Sequence, residues 1–206
     1  MQDKVIINQI SYDLEGLLQN CWRRLVNGAV VAKNAFHSPS IATMNGDFPE
    51  IRTVILRKVI PEEKTLIFYT DYRSPKIEQI KANHKIAWLF YDEKARIQLR
   101  LKTIATIHHN NEIALTRWNE SRLESKICYL VQPAPSTKTE SPTDGLAAHF
   151  DRSHLTAESV ALGYENFAVI TNVVAEIEWL FLAREGHRRA KFILDQDGVK
   201  KYWLIP

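Results

Sequence analysis

The chain predicts a mainly β fold with flanking helices, an antiparallel barrel or sandwich, and three observations carry that expectation. Short β-branched and aromatic runs follow one another closely from Ser40 to His108. Tight-turn signals, Asn45-Gly46-Asp47 and Asp195-Gln196-Asp197-Gly198, join runs of strand character. Helical periodicity is confined to segments outside those runs. Many strands with short connections suit a barrel or sandwich, and 206 residues suit one domain. Within it we expect an N-terminal helical segment (1–36), a barrel core (37–110), helices with a Pro-rich loop (111–163) and closing strands (164–206).

From Tyr12 to Asn34, Leu14, Leu17, Leu18, Cys21, Trp22, Leu25 and Val26 recur at helical spacing, with Asp13, Glu15, Arg23 and Arg24 opposite. Ser11 is the expected N-cap and Asn27-Gly28 the expected break. Ser40 to Met44 and Ile51 to Val59 read as a hairpin about Asn45-Gly46. Thr65 to Thr70 is a third strand. Pro75 to Asn83 is a short helix, with Ser74 as N-cap and Pro75 in the first turn. Lys85 to Tyr91 and Arg96 to His108 are the fourth and fifth strands. Asn111 to Val131 is helical, with Ile113, Leu115, Trp118, Ile127 and Leu130 as apolar points. Gln132 to Gly145 is a long Pro/Ser/Thr-rich loop, a type usually tied to function or motion. Ser153 to Leu162 is a short helix, and Phe167 to Leu182 a strand pair or one long bent strand. Lys191 to Leu194 and Lys201 to Ile205 close the fold.

Hydrophobic residues make up 45% and charged residues 25%, enough apolar material for a full core. The formal charge of +3 is too small to argue for nucleic acid, though clustered cations would suit an anionic small ligand. Cys21 and Cys128 lie far apart without metal spacing and are expected reduced. The start, Met1 to Asn8, is too polar for a signal peptide, and no segment approaches the roughly 20 apolar residues of a membrane span. The expectation is a cytoplasmic protein with no membrane partner.

The chemistry concentrates in Arg52-Thr53-Val54-Ile55-Leu56-Arg57 and Phe68-Tyr69-Thr70-Asp71-Tyr72-Arg73-Ser74-Pro75-Lys76. If the first run is one strand, Arg52 and Arg57 face opposite ways. The second run ends at a helix start rich in hydroxyls and cations. Free N–H groups and the helix dipole make such a start a seat for phosphate, whereas a cation in the first turn is disfavoured without an anion. Strand–loop–strand–helix order and the lack of glycine fingerprints exclude a P-loop or Rossmann unit. Gln98, Arg100 and Lys102 alternate with apolar Ile97, Leu99 and Leu101, and present either a solvent face or a ligand face. His187-Arg188-Arg189 with Lys191 is either a solvated turn or an anion site. No nucleophile elbow, HExxH or metal-spaced Cys/His set occurs, and His108 and His109 face opposite ways on a strand. Hard chemistry would then fall to a cofactor.

Four motifs in order resemble those of the pyridoxamine 5′-phosphate oxidase family. Arg52 to Arg57 is similar to R-x-V-x-L-K, and Phe68-Tyr69-Thr70 with Ser74-x-Lys76 to F-Y-T-N…S-x-K. Arg96 to Arg100 resembles R-Q-V-R with one residue inserted before Gln98. Ile177-Glu178-Trp179, His187-Arg188-Arg189 and Trp203-Leu204-Ile205-Pro206 resemble the family's ending. The likeness spans roughly Ser40 to Pro206. It implies an antiparallel six-stranded split barrel and a homodimer holding FMN at its interface.

By motif match, the resemblance implies that Arg52, Ser74 and Lys76 hold the FMN phosphate. Arg73 would replace a family arginine where this chain has Pro75. Tyr69 and Thr70 would contact the phosphate or ribityl chain. Thr53, Val54 and Ile55 would run along the ring, with Gln98 giving its side-chain amide, Gln132 reaching the partner's flavin, and Lys191 adding a cofactor contact. Arg57, Ser125, His187, Arg188 and Arg189 would meet an anionic substrate. Arg57 stands in place of the family's lysine and Leu180 in place of its tryptophan, so the likeness implies a divergent branch of flavin-dependent oxidoreductases. Two other classes compete: a binding module holding FMN, haem or pyridoxal phosphate without turnover, and an OB-like nucleic-acid binder. The second ranks last, because no aromatics interleave with Gln98, Arg100 and Lys102.

Overall fold

A computed structural model describes residues 4–7, 9–148 and 150–206. Met1 to Asp3 and Asn8, on which part of the signal-peptide reading rests, lie outside the described residues. Val5–Ile7 (β1) and Ile10–Tyr12 (β2) pair as a small antiparallel hairpin that the sequence reading missed. Three residues per strand are too few for periodicity to register.

Leu14–Val30 (α1) is shorter than expected and is capped by Asp13, not Ser11. The Asp13 Oδ1 accepts the Gly16 N–H at 2.8 Å, while Ser11 lies in β2. Asn27-Gly28 does not break this helix. Gly28 sits inside it because Phe36 packs there: a Cβ at position 28 would lie 2.7 Å from the Phe36 Cβ. Close approach, not a turn, explains the glycine. Leu17, Leu18, Cys21 and Leu25 bury one face of α1 against the sheet.

Among the described residues, nine antiparallel strands form the main sheet. Ser40–Asn45 (β3) and Phe48–Thr53 (β4) are the expected hairpin. The expected strand from Ile51 to Val59 is instead two, β4 and Lys58–Ile60 (β5), because the chain changes partners between them. Val54 N–H donates to Pro39 O, Leu56 N–H to His37 O, and Arg57 N–H to Ile67 O. The first two bonds continue toward β3; the third joins Thr65–Asp71 (β6). This corner closes the ring. Lys85–Asp92 (β7), Ile97–His109 (β8) and Phe167–Phe181 (β9) complete it in the order β4-β3-β7-β8-β9-β6-β5. Counting β4 and β5 as one bent strand, the barrel has six strands, in agreement with the expected split barrel.

β9 is one long strand, not a pair, and it serves two neighbours on one edge. Its first half pairs with β6 and its second half with Arg188–Asp195 (β10), while β8 runs along its other side. The register slips between Lys102 and Thr103, opposite Glu176 and Val174, leaving Ala175 as an extra residue. Such a bulge bends a strand and lets one element serve two pairings. Gly198–Leu204 (β11) completes the outer hairpin with β10. Both strands begin three residues before the expected spans, and β11 ends at Leu204 rather than Ile205, so Arg188 and Arg189 are strand residues rather than a solvated turn.

Trp88, Trp179, Phe68, Phe90 and Phe192 fill the interior and are essentially fully buried. A second apolar cluster lies outside the ring, where Trp118, Tyr129 and Val160 pack on Ile67, Phe167 and Val169. The expected single helix from Asn111 to Val131 is broken into Glu112–Glu120 (α3), Leu123–Lys126 (α4) and a 3₁₀ turn at Ile127–Tyr129. The Ser121 hydroxyl folds back on the Arg117 carbonyl at 2.7 Å and competes with helical continuation there. The expected Ser153–Leu162 helix is Ala157–Val160 (α5), followed by a 3₁₀ stretch at Ala161–Asn166. Pro75–Ala82 (α2) follows β6 as expected.

Candidate functional site

The corner at 54–57, the end of β6, the start of α2 and the 128–136 segment enclose a cleft of about 580 Å³. Nine sequence-predicted residues line it: Arg52, Thr53, Val54, Ile55, Arg57, Tyr69, Thr70, Ser74 and Lys76. Arg52 and Arg57 do not face apart as a continuous strand would require. The break after Thr53 re-aims the chain, and both cations border the same space.

The densest chemistry is at the head of α2. The Lys76 Nζ donates to Ser74 Oγ at 2.6 Å and to Thr70 Oγ1 at 3.0 Å. Ser74 occupies the N-cap but makes no side-chain capping bond, so its hydroxyl serves the site rather than the helix. Burial, reinforced by the Arg52 charge, holds the Lys76 pKa below the usual lysine range. The Arg52 guanidinium donates to Thr43 Oγ1, to Glu50 at 2.6 Å and to Gln79 Oε1 at 3.3 Å. Gln79, itself buried, also accepts from Thr43 at 2.6 Å and donates to Glu50 at 2.9 Å. The Gln79 and Asn45 amides, with Arg52 beside them, keep the Glu50 carboxyl below the usual carboxylate range. Sequence reasoning missed Thr43, Glu50 and Gln79. Glu50 was legible, because residues two apart on a strand share a face.

Farther along the cleft the Arg57 guanidinium lies over the Tyr69 ring, 5.6 Å from its centroid. Burial raises the Tyr69 pKa, so this phenol stays protonated and available as a donor. Cys128, Tyr129, Pro135 and Ser136 form the remaining wall.

The other predicted site residues are not in this cleft. The Arg73 guanidinium turns away, to Asp71 and to the carbonyls of Val131 and Gln132. Gln132 lines a neighbouring hollow instead. Ser125 stands behind the wall, its carbonyl accepting from the Cys128 thiol at 3.3 Å. Arg188 folds onto the carbonyls of Gly186 and His187 and borders a hollow near Phe181.

Gln98, Arg189 and Lys191 lie on the outward side of the sheet, the two cations in a charge ladder. Glu178 takes Arg100 and Arg189, the latter at 2.8 Å. Glu176 takes Lys102 at 3.4 Å and Lys191 at 3.0 Å. Ile51 and the half-exposed Leu89 flank a shallow groove of about 470 Å³ beside this ladder. Within one chain, the cation-lined cleft and this outward face are separate sites.

A six-stranded antiparallel split barrel is a fold shared with solved structures of pyridoxamine 5′-phosphate oxidase-like proteins. The comparisons agree. Residues 19–109 match the family model described as pyridoxamine 5′-phosphate oxidase, FMN-binding domain. A pyridoxine/pyridoxamine 5′-phosphate oxidase of Novosphingobium aromaticivorans is 30% identical over 161 residues, covering 76% of this chain and 75% of that protein. One from Aliarcobacter butzleri is 38% identical over 106 residues, covering 46% of this chain and 48% of that protein. Among solved structures, a pyridoxamine 5′-phosphate oxidase-related FMN-binding protein of Nostoc punctiforme superposes with a TM-score of 0.71 at 17% identity, covering 91% of this chain and 97% of that one. PhzG of Burkholderia lata, in complex with tetrahydrophenazine-1-carboxylic acid, gives 0.67 at 17% identity, covering 92% of each. At that identity the superpositions speak for the fold alone. The chain belongs to the pyridoxamine 5′-phosphate oxidase family.

Proposed function

We propose that this protein binds FMN in the corner cleft, works as a homodimer, and is a flavin-dependent oxidoreductase acting on a small anionic substrate in the cytoplasm. The observation that carries this reading is the convergence of Arg52, Thr70, Ser74 and Lys76 on the start of α2. Two cations, two hydroxyls and a helix N-terminus match what a phosphate monoester needs. Among the described residues Lys76 has no carboxylate partner, and its depressed pKa marks positive charge held without a full counterion. A phosphate would supply that counterion. FMN, when bound, supplies two-electron transfer chemistry.

The chain's own residues do the rest. Arg52 is held in direction by Thr43, Glu50 and Gln79 and faces the phosphate. Thr53, Val54 and Ile55 present the corner's main chain along the cleft. Arg57, over the Tyr69 ring and without an ion-pair partner among the described residues, would meet an anionic group of the substrate. Gln98 and Lys191, on the outward face, would meet a flavin only across a dimer seam. That seam fits a second copy of the same chain, since the ladder of Arg100, Lys102, Glu176 and Glu178 carries both signs and is self-complementary.

The test is spectroscopic. The purified protein should be yellow, release FMN identified by mass spectrometry, and show a flavin band bleached by reductant and restored by air. A colourless protein that takes up no FMN in a fluorescence titration would overturn the reading. Bound flavin without turnover of pyridoxine phosphate, pyridoxamine phosphate or a quinone would favour the binding-module alternative.

A further inference from the structure

Arg73 leaves the cleft and is not idle there. Its Nε and Nη2 meet the two carboxylate oxygens of Asp71 at 3.0 and 2.7 Å. Its Nη1 donates to Gln132 O at 3.0 Å, and its Nη2 also to Val131 O at 2.8 Å. Asp71 is buried, and its Oδ1 accepts the Arg73 N–H at 2.8 Å as well. One planar guanidinium thus joins the turn that precedes Ser74 and Lys76 to a segment 58 residues further on. Such forked, charge-assisted bonding is the strong kind.

The segment it holds is the base of the Pro-rich loop. That base is pinched shut by Gln132 N–H donating to Gly145 O at 3.0 Å. Gly145 has φ +72°, and a Cβ there would lie 2.5 Å from Val131 Cγ1. From this base the loop returns to the cleft, where Pro135 and Ser136 form part of the wall. The outer part, including Lys138 and Glu140, is exposed. Pro133, Pro135 and Pro142 limit the conformations the freed loop could explore, which lowers the entropic cost of holding it.

We propose that Arg73 is a positioning residue: it buckles the 132–145 loop across the cleft as a strap and makes the strap and the anion seat one mechanical unit. A ligand phosphate that steadies the turn at Ser74 and Lys76 then also steadies the strap. The ligand-linked part rests on the FMN reading above; the buckle itself does not. Lysine would not substitute, because a single ammonium cannot span a carboxylate and two carbonyls in the fork geometry.

The test is limited trypsin digestion, with cleavage after Lys138 followed by mass spectrometry, with and without FMN. The proteins are wild type, Arg73→Met, Arg73→Lys and the double variant Asp71→Asn/Arg73→Met, which removes the buried carboxylate together with its partner. Without FMN, all three variants should be cut about ten- to a hundredfold faster than wild type, the range for losing hydrogen bonds to a charged group. Far-UV circular dichroism should be unchanged. FMN should slow cleavage of wild type and protect the variants much less, and FMN should dissociate from them faster. Equal ligand-free cleavage rates in wild type and the double variant would overturn the buckle, as would full rescue by Arg73→Lys. If wild type binds no FMN, the cofactor reading falls, and the ligand-free rates still decide the buckle. If Arg73→Met fails to fold, the double variant decides.

Discussion

At the proposed anion seat, the cations Arg52 and Lys76 stand against the carboxylates Glu50 and Asp71, the latter engaged by Arg73. Arg52→Glu places a second carboxylate there and should weaken FMN binding by at least about a hundredfold, on the order of 3 kcal/mol. Arg57→Ala should leave FMN affinity nearly unchanged and raise KM for an anionic substrate. Equal flavin loss in both variants, measured by titration, would contradict the division of roles. Glu50→Gln keeps an acceptor for Arg52 and removes the opposing charge, so FMN should bind more tightly, and more visibly so at low salt. Weaker binding by that variant would mean that the charge of Glu50 is needed to hold Arg52 in place. The pH dependence follows from Lys76. Its pKa in the free protein is depressed by burial and then by Arg52, and a bound phosphate raises it again. Binding therefore takes up a proton in the window between the two values, and affinity falls as pH rises through the free Lys76 pKa, below the usual lysine range. On the acid side affinity rises through about pH 6, where a phosphate monoester loses its second proton. Lys76→Met should abolish the alkaline limb and keep the acid one, as read by titration calorimetry across pH.

At the level of elements, Gly28 shows two effects of opposite sign. Alanine in a helix interior is favoured over glycine by about 1 kcal/mol. Here a Cβ would press on Phe36 at 2.7 Å and on its carbonyl at 2.9 Å, both packed groups. Overpacking of that kind costs about 1–3 kcal/mol. Steric cost should win, and Gly28→Ala should lower stability by up to about 2 kcal/mol in urea melts. A gain in stability would mean that the 31–36 segment is free to move. The same helix explains a misreading. Asn27-Gly28 has the letters of a break, and only the passage of Phe36 over the helix face turns that signal into a packing requirement. Ser121, between α3 and α4, is the reverse case, a polar residue whose side chain ends a helix that apolar spacing alone would continue.

Across the whole molecule, the outward sheet face is where the proposed homodimer would complete the site. Leu89 and Ile51 are exposed beside the ladder of Arg100, Lys102, Glu176 and Glu178. The proposed homodimer would bury them. Leu89→Glu should weaken dimerisation by about 2 kcal/mol, roughly thirtyfold, as read by light scattering on a sizing column. FMN retention should fall with it, although Leu89 does not line the cleft. A monomeric variant that keeps its flavin would show that one chain suffices.

Much was already legible in the residues themselves. Period-two runs marked most of the barrel strands, and Asn45-Gly46 marked the hairpin between β3 and β4. The serine before α2 and the proline at its first position marked the helix start, and the grouped cations and hydroxyls there were visible with them, because capping chemistry is local and legible in a few consecutive residues. The bend at 54–57 was not legible: whether Val54 and Leu56 bond to Pro39 and His37 depends on segments far apart in the chain. That bend puts Arg52 and Arg57 on one cleft, where strand alternation by itself would have parted them. Arg73 makes the same point in part: its place before a helix start suggested a ligand, whereas Asp71 two residues back and the carbonyls of Val131 and Gln132, far along the chain, take its guanidinium. Side-chain type and spacing determined what chemistry this protein has available; the closing of the barrel decided which of those groups meet, because long-range hydrogen bonds, not local periodicity, choose the partners.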